Sequence, residues 1–323
     1  MAEPIPIPLR LAGTLLRWLP GISISRMTRA QVIAAQDAPP AHGFTARMMA
    51  AGLGSVGTSV TTADRTIPGP GGPLAIRVYT PATPALGPRP LVVYLHGGGW
   101  TLGTIDQGDW MCGSTARDAG AVVVSVAYRL APRHPFPAAV DDAMAALAWC
   151  RAEAAALGAD PDRMGVMGDS AGGNLAAVVA LADRDAGGPR LRHQALLYPV
   201  TDGAMTSASY RANAEAPILT AADMAAFYGH YLAPGTDPLG PGVSPLRASS
   251  HAGLPQAIVV TAGHDPLHDE GVAYAEALRA AGVAVELADY PAMVHGFLSI
   301  PRGARDAAQA MARVTASQRQ ALT

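Results

Sequence analysis

The sequence predicts an α/β fold in which a mostly parallel central sheet is covered by helices on both faces. Strand-like and helix-like runs alternate along the chain, the strand-like runs are almost continuously apolar, and 50% of the 323 residues are hydrophobic. Strands of a parallel sheet are apolar along their whole length because helices bury both of their faces. A chain of this length can bury the core of one such domain together with an accessory element.

The predicted strands fall into two groups, separated by an inserted segment. The first group lies near residues 74–79, 91–95, 121–127 and 163–167, and a further strand ends at Tyr198. A long helix is predicted over residues 138–157. It is expected to end at Gly158, because glycine commonly ends helices. The second group comprises residues 257–261 and 284–288, and a last helix follows Arg302.

The most informative motif is Gly-Asp-Ser-Ala-Gly-Gly at residues 168–173, between a strand-like and a helix-forming run. Ser170 is the one serine of the chain with glycine two positions before it and two positions after it. A tight strand–turn–helix connection exposes the serine hydroxyl, and the flanking glycines allow the strained turn. The positive end of the following helix dipole also lies there. The motif therefore predicts that Ser170 is a nucleophile.

A glycine run, His96-Gly97-Gly98-Gly99-Trp100, follows the predicted strand at residues 91–95. Acyl transfer builds negative charge on the carbonyl oxygen, and backbone N–H groups aimed at that oxygen stabilise it. Glycines allow the substrate to approach such N–H groups closely. We therefore expect an oxyanion hole formed by Gly97, Gly98 and Ala171, the residue after the nucleophile.

These motifs resemble those of the hormone-sensitive-lipase-like family of α/β-hydrolases, in particular its bacterial esterases with the Gly-Asp-Ser-Ala-Gly-Gly motif. The resemblance runs in order from about residue 73 to the C-terminus, and Arg133 stands where the family commonly has glutamate. Besides the two glycine motifs, it rests on residues 128–132 and 134–139, 197–199, 265–267, 269–270 and 295–297.

The chain order of this fold, nucleophile, acid and then histidine, predicts the other two catalytic residues. Asp265 lies in a loop after a predicted strand, at the sheet edge where α/β proteins place their catalytic groups. His295 lies in the loop after the next strand. We expect Asp265 to orient His295 as the general base. Asp269 and Glu270 are interpreted instead as acidic residues of a helix N-terminus, and Asp289 as a weaker candidate that shares the loop of His295.

The resemblance also implies a helical cap over the active site. Residues 9–19 form an amphipathic run, with Leu11, Leu15, Trp18 and Leu19 on one face of a helix. Three alternatives stay open for this run: a lid helix, a helix on a membrane surface, or packing against the core. The predicted organisation is an N-terminal part of the cap, a first core part, a second cap segment and a second core part, over residues 1–45, 46–200, 201–240 and 241–323.

The predicted activity is that of a serine carboxylesterase acting through a covalent acyl-enzyme on Ser170. The resemblance implies short to medium acyl chains. Two alternatives remain: an amide hydrolase with the same catalytic residues, similar to an arylacetamide deacetylase or a formamidase, and a non-catalytic receptor for a small ligand on the same fold. The receptors that resemble this family have lost the catalytic histidine, whereas His295 is present here.

Composition narrows the function classes further. The net charge of −2 and the pI near 6.5 give no attraction for nucleic acid or anionic membranes. All 23 basic residues are arginines, which excludes chemistry that requires lysine, namely Schiff-base and pyridoxal-phosphate enzymes and P-loops. We expect no organic cofactor. Neither a signal peptide nor a stable membrane insertion is predicted, so we expect a cytoplasmic protein whose partner is a small ester, with a homodimer left open.

The remaining histidines and cysteines suggest no second reactive site. His264 and His268 are four residues apart beside two carboxylates, as in some metal sites, but Pro266 separates them between loop and helix. We therefore expect no metal. Cys112 and Cys150 lie among helix-like residues and are interpreted as buried small hydrophobic residues.

Overall fold

The structure is a computed structural model that describes residues 3–6, 10, 23–38, 54–187 and 190–323. Within these residues there are eight strands, β1 to β8 in chain order: Val60–Gly69, Gly72–Pro81, Arg89–Leu95, Val122–Val126, Ala159–Asp169, His193–Leu197, Gln256–His264 and Val285–Val294. They form one sheet in the order β1-β2-β4-β3-β5-β6-β7-β8. From β4 onwards in this order all neighbouring strands are parallel, whereas β2 runs antiparallel to both of its neighbours.

Helices cover both faces of the sheet, which confirms the predicted fold class. The helices, in chain order from α1 to α8, are Arg29–Asp37, Asp109–Ala119, Ala138–Ala152, Ala171–Asp185, Ala208–Ala212, Ala221–Tyr231, His268–Ala280 and Ala307–Leu322. One hydrophobic cluster packs α3, α4 and α7 against side chains such as Leu91, Val93 and Leu95 of β3. The opposite cluster packs α2 and α8 against Val92 and Tyr94 of the same strand. Successive residues of a strand point to opposite faces, so β3 is buried along its length only because both layers are present.

Several predicted element boundaries differ from the observed ones. The long helix α3 ends at Ala152 rather than at residue 157, and a 3-10 turn, Ala155–Leu157, fills the interval before Gly158. Gly158 nevertheless adopts the left-handed conformation that ends this segment, with φ of 67°. Strand β8 continues to Val294, so His295 follows the strand directly rather than after a long loop. Strand β1 was not predicted, because most of its residues are polar and exposed at the sheet edge.

The N-terminal segment that the structure describes is tied to both the cap and the core. Asp223 of α6 accepts hydrogen bonds from the Ser23 hydroxyl at 2.6 Å and from the Ser25 N–H at 3.1 Å. The side-chain amide of Gln36 in α1 donates to the carbonyl oxygens of Thr101 and Ala131. These contacts place α1 and α6 around the glycine run. Except for Arg10, the amphipathic run at residues 9–19 lies outside the described residues, and the predicted domain boundaries stay predictions.

Arg133, the residue that departs from the family pattern, also contacts the N-terminal segment. Its guanidinium forms an exposed ion pair with Asp37, the last residue of α1. Water screens the two charges of such an exposed pair, so the contact adds little to the stability of the fold.

Candidate active site

Ser170 lies between the end of β5 and the start of α4, as its motif predicts. Its backbone adopts φ of 55° and ψ of −118°, a conformation that few non-glycine residues adopt. The Ser170 N–H donates to the carbonyl oxygen of Leu197 at 2.8 Å, which ties the turn to the neighbouring strand β6. The side chain is 9% exposed, at the carboxyl end of the parallel strands. The turn thus presents the hydroxyl at the edge where catalytic groups of α/β sheets collect.

Close backbone packing explains the glycines on both sides of Ser170. A Cβ atom at Gly168 would collide with the backbone of Gly172, and one at Gly172 would collide with the carbonyl oxygens of Leu95 and His96. The helix that begins after the serine can therefore lie directly against the end of β3. This packing requires glycine at residues 168 and 172, and it brings the start of α4, with Ala171, close to the glycine run after β3.

The structure brings Ser170, His295 and Asp265 together in one hydrogen-bonded chain. The Ser170 Oγ lies 2.8 Å from His295 Nε2, and His295 Nδ1 lies 2.6 Å from Asp265 Oδ2. The other oxygen of Asp265 accepts the Leu267 N–H at 2.9 Å. With the proton on Nδ1, the imidazole donates to Asp265 and leaves Nε2 free to accept the serine proton. This is the arrangement of a serine nucleophile, its general base and an orienting acid.

His295 and Asp265 are shielded from solvent and held by neighbouring groups. Asp265 is 0% exposed and His295 is 7% exposed. The ring of Tyr198 contacts the His295 imidazole edge to face, with the ring centroids 5.0 Å apart. The side-chain amide of Asn213 donates to the main-chain carbonyl oxygen of Asp265 at 3.0 Å. These contacts restrict the imidazole and the acid-bearing loop to one geometry, which favours proton transfer.

The rival carboxylates are engaged elsewhere. Asp269 accepts the Ser209 N–H at 2.8 Å and contacts His268 Nδ1 at 2.9 Å. Asp289 accepts the Thr261 hydroxyl. Asp269 and Glu270 both lie in the first turn of α7, as predicted.

Glu270 does more than complement a helix dipole. Its buried carboxylate accepts the Thr201 N–H at 2.7 Å and so joins α7 to the chain after β6. Burial raises the pKa of this carboxyl well above its usual range.

The glycine run after β3 forms a loop beside the nucleophile, but its first N–H is already engaged. The Gly97 N–H donates to Asp169 Oδ1 at 2.9 Å, so the expectation that Gly97 stabilises the oxyanion disagrees with this geometry. Gly98 and Gly99 adopt φ of 110° and 60°, which favours glycine. Within the described part of the chain, neither their N–H groups nor that of Ala171 donates a hydrogen bond. The donors that remain available are therefore Gly98, Gly99 and Ala171.

The side chains of His96 and Tyr128 pack together and contact the backbone of the loop at residues 96–97. Their rings stack with centroids 4.3 Å apart, and the Tyr128 hydroxyl donates to the His96 carbonyl oxygen at 2.6 Å. His96 Nδ1 lies 2.7 Å from the Gly97 carbonyl oxygen. Burial lowers the pKa of His96 to about 4, so its imidazole is neutral near pH 7. His96 therefore supports the loop as a neutral ring whose Nδ1 contacts the Gly97 carbonyl oxygen.

The cap helix α6 packs on the same loop and borders a cavity. Trp100 stacks on Tyr231 of α6 with centroids 4.3 Å apart, and the Phe227 ring lies against Gly99. Phe227 also borders a cavity of about 210 Å³ between α6 and the N-terminal segment, whose apolar lining includes Ile24 and Leu219. Phe227 therefore lies between this cavity and Gly99.

The other groups considered in the sequence have ordinary partners. His264 Nε2 lies 2.7 Å from the Glu3 carbonyl oxygen, while His268 contacts Asp269 and Asp289. In the ranges that the structure describes, no three His, Cys, Asp or Glu side chains form a group that could hold a metal ion. Cys112 and Cys150 are buried free thiols. None of the described helices combines the length and apolar character needed to cross a bilayer.

Three residues of the site were missed by sequence reasoning. Gly99 could have been chosen over Gly97 only by knowing which N–H groups are already bonded. Asp169 carried a signal, because it is an acidic residue directly after the apolar run at residues 164–168. Phe227 lies in the predicted second cap segment, residues 201–240, but nothing in the sequence pairs it with Gly99.

Comparisons with known proteins agree with this arrangement. A family model described as the alpha/beta hydrolase fold matches residues 92–299. The carboxylesterase NlhH of Mycobacterium tuberculosis is 47% identical over 258 residues, which cover 77% of this chain and 79% of that protein. An ethyl acetate hydrolase of Pseudomonas putida is 42% identical over 245 residues, or 74% of each chain.

Solved structures show the same similarity over nearly the whole chain. An ester hydrolase from the metagenome of Lake Arreo, solved with a bipyridine phosphonate derivative, is 36% identical and superimposes with a TM-score of 0.88. The alignment covers 98% of each chain.

Proposed function

The chain belongs to this α/β-hydrolase family and is a carboxylesterase, and we propose that it hydrolyses short- to medium-chain acyl esters through a covalent intermediate on Ser170. The observation that carries the proposal is the hydrogen-bonded chain from Ser170 Oγ to His295 Nε2, at 2.8 Å, and from His295 Nδ1 to Asp265, at 2.6 Å. The substrate class follows from the relatives, which are named for ester hydrolysis.

The first step is acylation. Ser170 Oγ attacks the ester carbonyl carbon while His295 Nε2 accepts the hydroxyl proton. Negative charge develops on the carbonyl oxygen, where the N–H groups of Gly98, Gly99 and Ala171 stabilise it. The carbon–oxygen bond to the alcohol then breaks, and His295 returns the proton to the leaving alcohol.

The second step is deacylation by water. Nε2 of His295 accepts a proton from a water molecule as its oxygen attacks the acyl-enzyme carbonyl. The same three N–H groups stabilise the second oxyanion. Collapse of this intermediate breaks the bond to Ser170 Oγ, which recovers its proton from His295 and releases the acid. Asp265 stabilises the imidazolium in both steps without taking the proton itself.

A substitution of the nucleophile tests this proposal. We expect Ser170→Ala to reduce hydrolysis of p-nitrophenyl butyrate by at least about 10³-fold, because removal of such a nucleophile abolishes the covalent route. The exposed Ser55→Ala serves as the matched control and should retain full activity. A serine-directed phosphonate should label Ser170 in the unmodified protein. Normal turnover by Ser170→Ala, or labelling of another residue, would contradict the mechanism.

The acyl preference is tested with p-nitrophenyl esters of two to sixteen acyl carbons (roughly acetate to palmitate), beside a matched p-nitroanilide. The cavity of about 210 Å³ that Phe227 borders leads us to expect the highest kcat/KM for the shorter esters. Faster hydrolysis of the anilide than of the ester would favour the amide hydrolase instead.

A further inference from the structure

Asp169 is a buried carboxylate that the proposed chemistry does not use. It is the last residue of β5, directly before the nucleophile, and is 6% exposed. One oxygen, Oδ1, accepts two hydrogen bonds, from the Tyr94 hydroxyl at 2.6 Å and from the Gly97 N–H at 2.9 Å. Within the described ranges, no arginine or histidine forms an ion pair with it. Burying a carboxylate without a cationic partner costs free energy, and the hydrogen bonds to Oδ1 offset part of that cost.

The two partners of Asp169 connect the nucleophile turn with the oxyanion loop. Leu95 pairs with Gly168 in the parallel ladder between β3 and β5, and the ladder ends there. At the next positions the Gly97 N–H turns to the Asp169 side chain instead of a backbone carbonyl. Tyr94 reaches the same oxygen from the end of β3. The carboxylate therefore accepts the Gly97 N–H at the point where the chain leaves the sheet, one residue before Gly98.

The loop packs so closely at Gly97 that its hydrogen bond to Asp169 restricts where the loop can lie. A Cβ atom at residue 97 would collide with Asp169 Oδ2, so the loop approaches the carboxylate as closely as a glycine allows. The oxyanion donors come from both sides of this contact, Gly98 and Gly99 from the loop and Ala171 from the turn. A shift of the loop relative to the turn would separate them, and hydrogen bonds weaken steeply outside their preferred geometry.

We propose that Asp169 is a positioning residue that holds the oxyanion loop in register with the nucleophile through the Gly97 N–H. This inference rests on the proposed esterase function. Asp169 is distinct from the catalytic acid, because Asp265 is the carboxylate bonded to His295. Asp169 acts through Gly98 and Gly99, whose hydrogen bonds to the substrate oxygen become strong only when the oxyanion forms. Loss of Asp169 should therefore lower kcat and leave KM nearly unchanged.

Burial also acts on the charge of Asp169. Desolvation raises the pKa of its carboxyl, while the hydrogen bonds from Tyr94 and Gly97 act in the opposite direction. A negative charge beside the oxyanion gives no electrostatic benefit to the reaction. The useful property of the side chain is thus its acceptor oxygen, which an asparagine also has.

The test compares Asp169→Ala and Asp169→Asn with a matched buried aspartate. Asp183 is 5% exposed, accepts the Leu191 N–H at 3.0 Å and lies in α4, and its Asp183→Ala variant serves as the control. For Asp169→Ala we expect kcat to fall about 10²-fold with KM within about twofold, the scale of one lost oxyanion donor. Asp169→Asn should recover most of this loss. Asp183→Ala should lower Tm and leave kcat unchanged.

A second measurement separates positioning from a general loss of stability. A trifluoromethyl ketone adds to Ser170 Oγ and places an oxyanion in the hole, so its inhibition constant should rise in proportion to the loss in kcat/KM. Gly97→Ala keeps Asp169 but displaces the loop, and it should lose kcat and ketone affinity similarly. If Asp169→Ala does not fold, unchanged kcat and ketone affinity in Gly97→Ala would still overturn the inference, because the loop would then tolerate displacement from Asp169.

Three results would overturn the inference: kcat within about threefold of the unmodified protein in Asp169→Ala, unchanged ketone affinity in Asp169→Ala and Gly97→Ala, or an Asp169→Asn variant as impaired as Asp169→Ala. Ser170→Ala is measured beside them. Full activity in Ser170→Ala would contradict the proposed esterase mechanism itself. An inactive Ser170→Ala together with normal Asp169→Ala would contradict only the role of Asp169.

Discussion

Asp265 and Asp269 are four residues apart, yet their environments give them different tasks. Asp265 is fully buried and contacts His295, whereas Asp269 is partly exposed and contacts Ser209 and His268. Both carboxylates follow β7, so sequence position alone separates them poorly. What distinguishes them is that Asp265 precedes α7, while Asp269 already belongs to its first turn.

This difference gives a prediction for the acid. Asp265→Asn should reduce kcat about 10³- to 10⁴-fold, because the amide favours a histidine tautomer that cannot accept the serine proton. Asp269→Asn, the matched control, should keep kcat within about threefold and lose at most about 1–3 kcal/mol of unfolding free energy, from its hydrogen bonds. Steady-state kinetics and thermal unfolding of both variants provide the measurement. Equal losses of kcat, or the reverse order, would show that the acid is misassigned.

The residues that depend on long-range contacts could not be derived from local patterns. Ser170 was predictable because the glycines that allow its turn stand within two residues of it. The engagement of the Gly97 N–H was not, since its acceptor, Asp169, lies 72 residues further along the chain. Gly97, Gly98 and Gly99 are chemically identical in the sequence, and only the position of the carboxylate distinguishes the first from the other two.

The cap helix α6 contributes to both the oxyanion loop and the cavity. Its Thr220–Asp223 capping box starts the helix, and Asp223 also accepts hydrogen bonds from the N-terminal segment. One turn later, Phe227 lies between Gly99 and the cavity. Residues i and i+4 share one face of a helix, so the same face joins the N-terminal segment and covers the glycine run.

Phe227 is therefore expected to limit the size of the substrate. Phe227→Ala removes the ring between the loop and the cavity, so kcat/KM for a bulky ester should rise relative to that for the acetate, by about tenfold. Tyr210→Phe, a conservative change elsewhere in the second cap segment, serves as the control and should keep the ratio. Graded acyl esters and graded alkyl acetates measure which substituent occupies the cavity. An unchanged ratio in both series would exclude Phe227 from substrate selection.

Secondary structure was predictable where the apolar pattern was continuous and failed at the periphery. The parallel strands that lead to the active site contain continuous apolar runs, such as residues 91–95 and 164–168, where helices cover both faces of the sheet. Strand β1 escaped prediction, since it is an edge strand whose exposed residues break that pattern. The end of α3 was placed too late, because alanine-rich residues continue beyond it into the 3-10 turn before Gly158.

Histidines across the molecule make its stability depend on pH in two directions. Burial lowers the pKa of His193 to about 3 and that of His96 to about 4, from an ordinary value of 6.5. Both are neutral in the folded protein, so stability is lost as the pH falls below 6.5 and the unfolded chain takes up protons. His268 behaves oppositely, because its hydrogen bonds to Asp289 and Asp269 raise its pKa to about 9.

The raised pKa of His268 predicts how stability changes at alkaline pH. Between pH 6.5 and about 9 the folded protein binds more protons at this residue than the unfolded chain, so the free energy of unfolding falls as the pH rises through that window. His268→Gln should flatten this decline in Tm, whereas the exposed control His134→Gln should not. Thermal unfolding between roughly pH 6 and 10 measures the slopes. Parallel curves for His268→Gln and the unmodified protein would contradict this assignment.

Local sequence patterns were sufficient to predict the fold class, and they also predicted three residues, Ser170, Asp265 and His295, whose side chains the fold brings together. Apolar runs and the glycines beside Ser170 act within a few residues, so they carry their information in the order of the amino acids. The strand order, with β4 between β2 and β3, and the choice among carboxylates required the folded chain. Each depends on groups that are far apart in sequence, such as Asp265 and His295, and becomes defined only when packing brings these groups within hydrogen-bond distance.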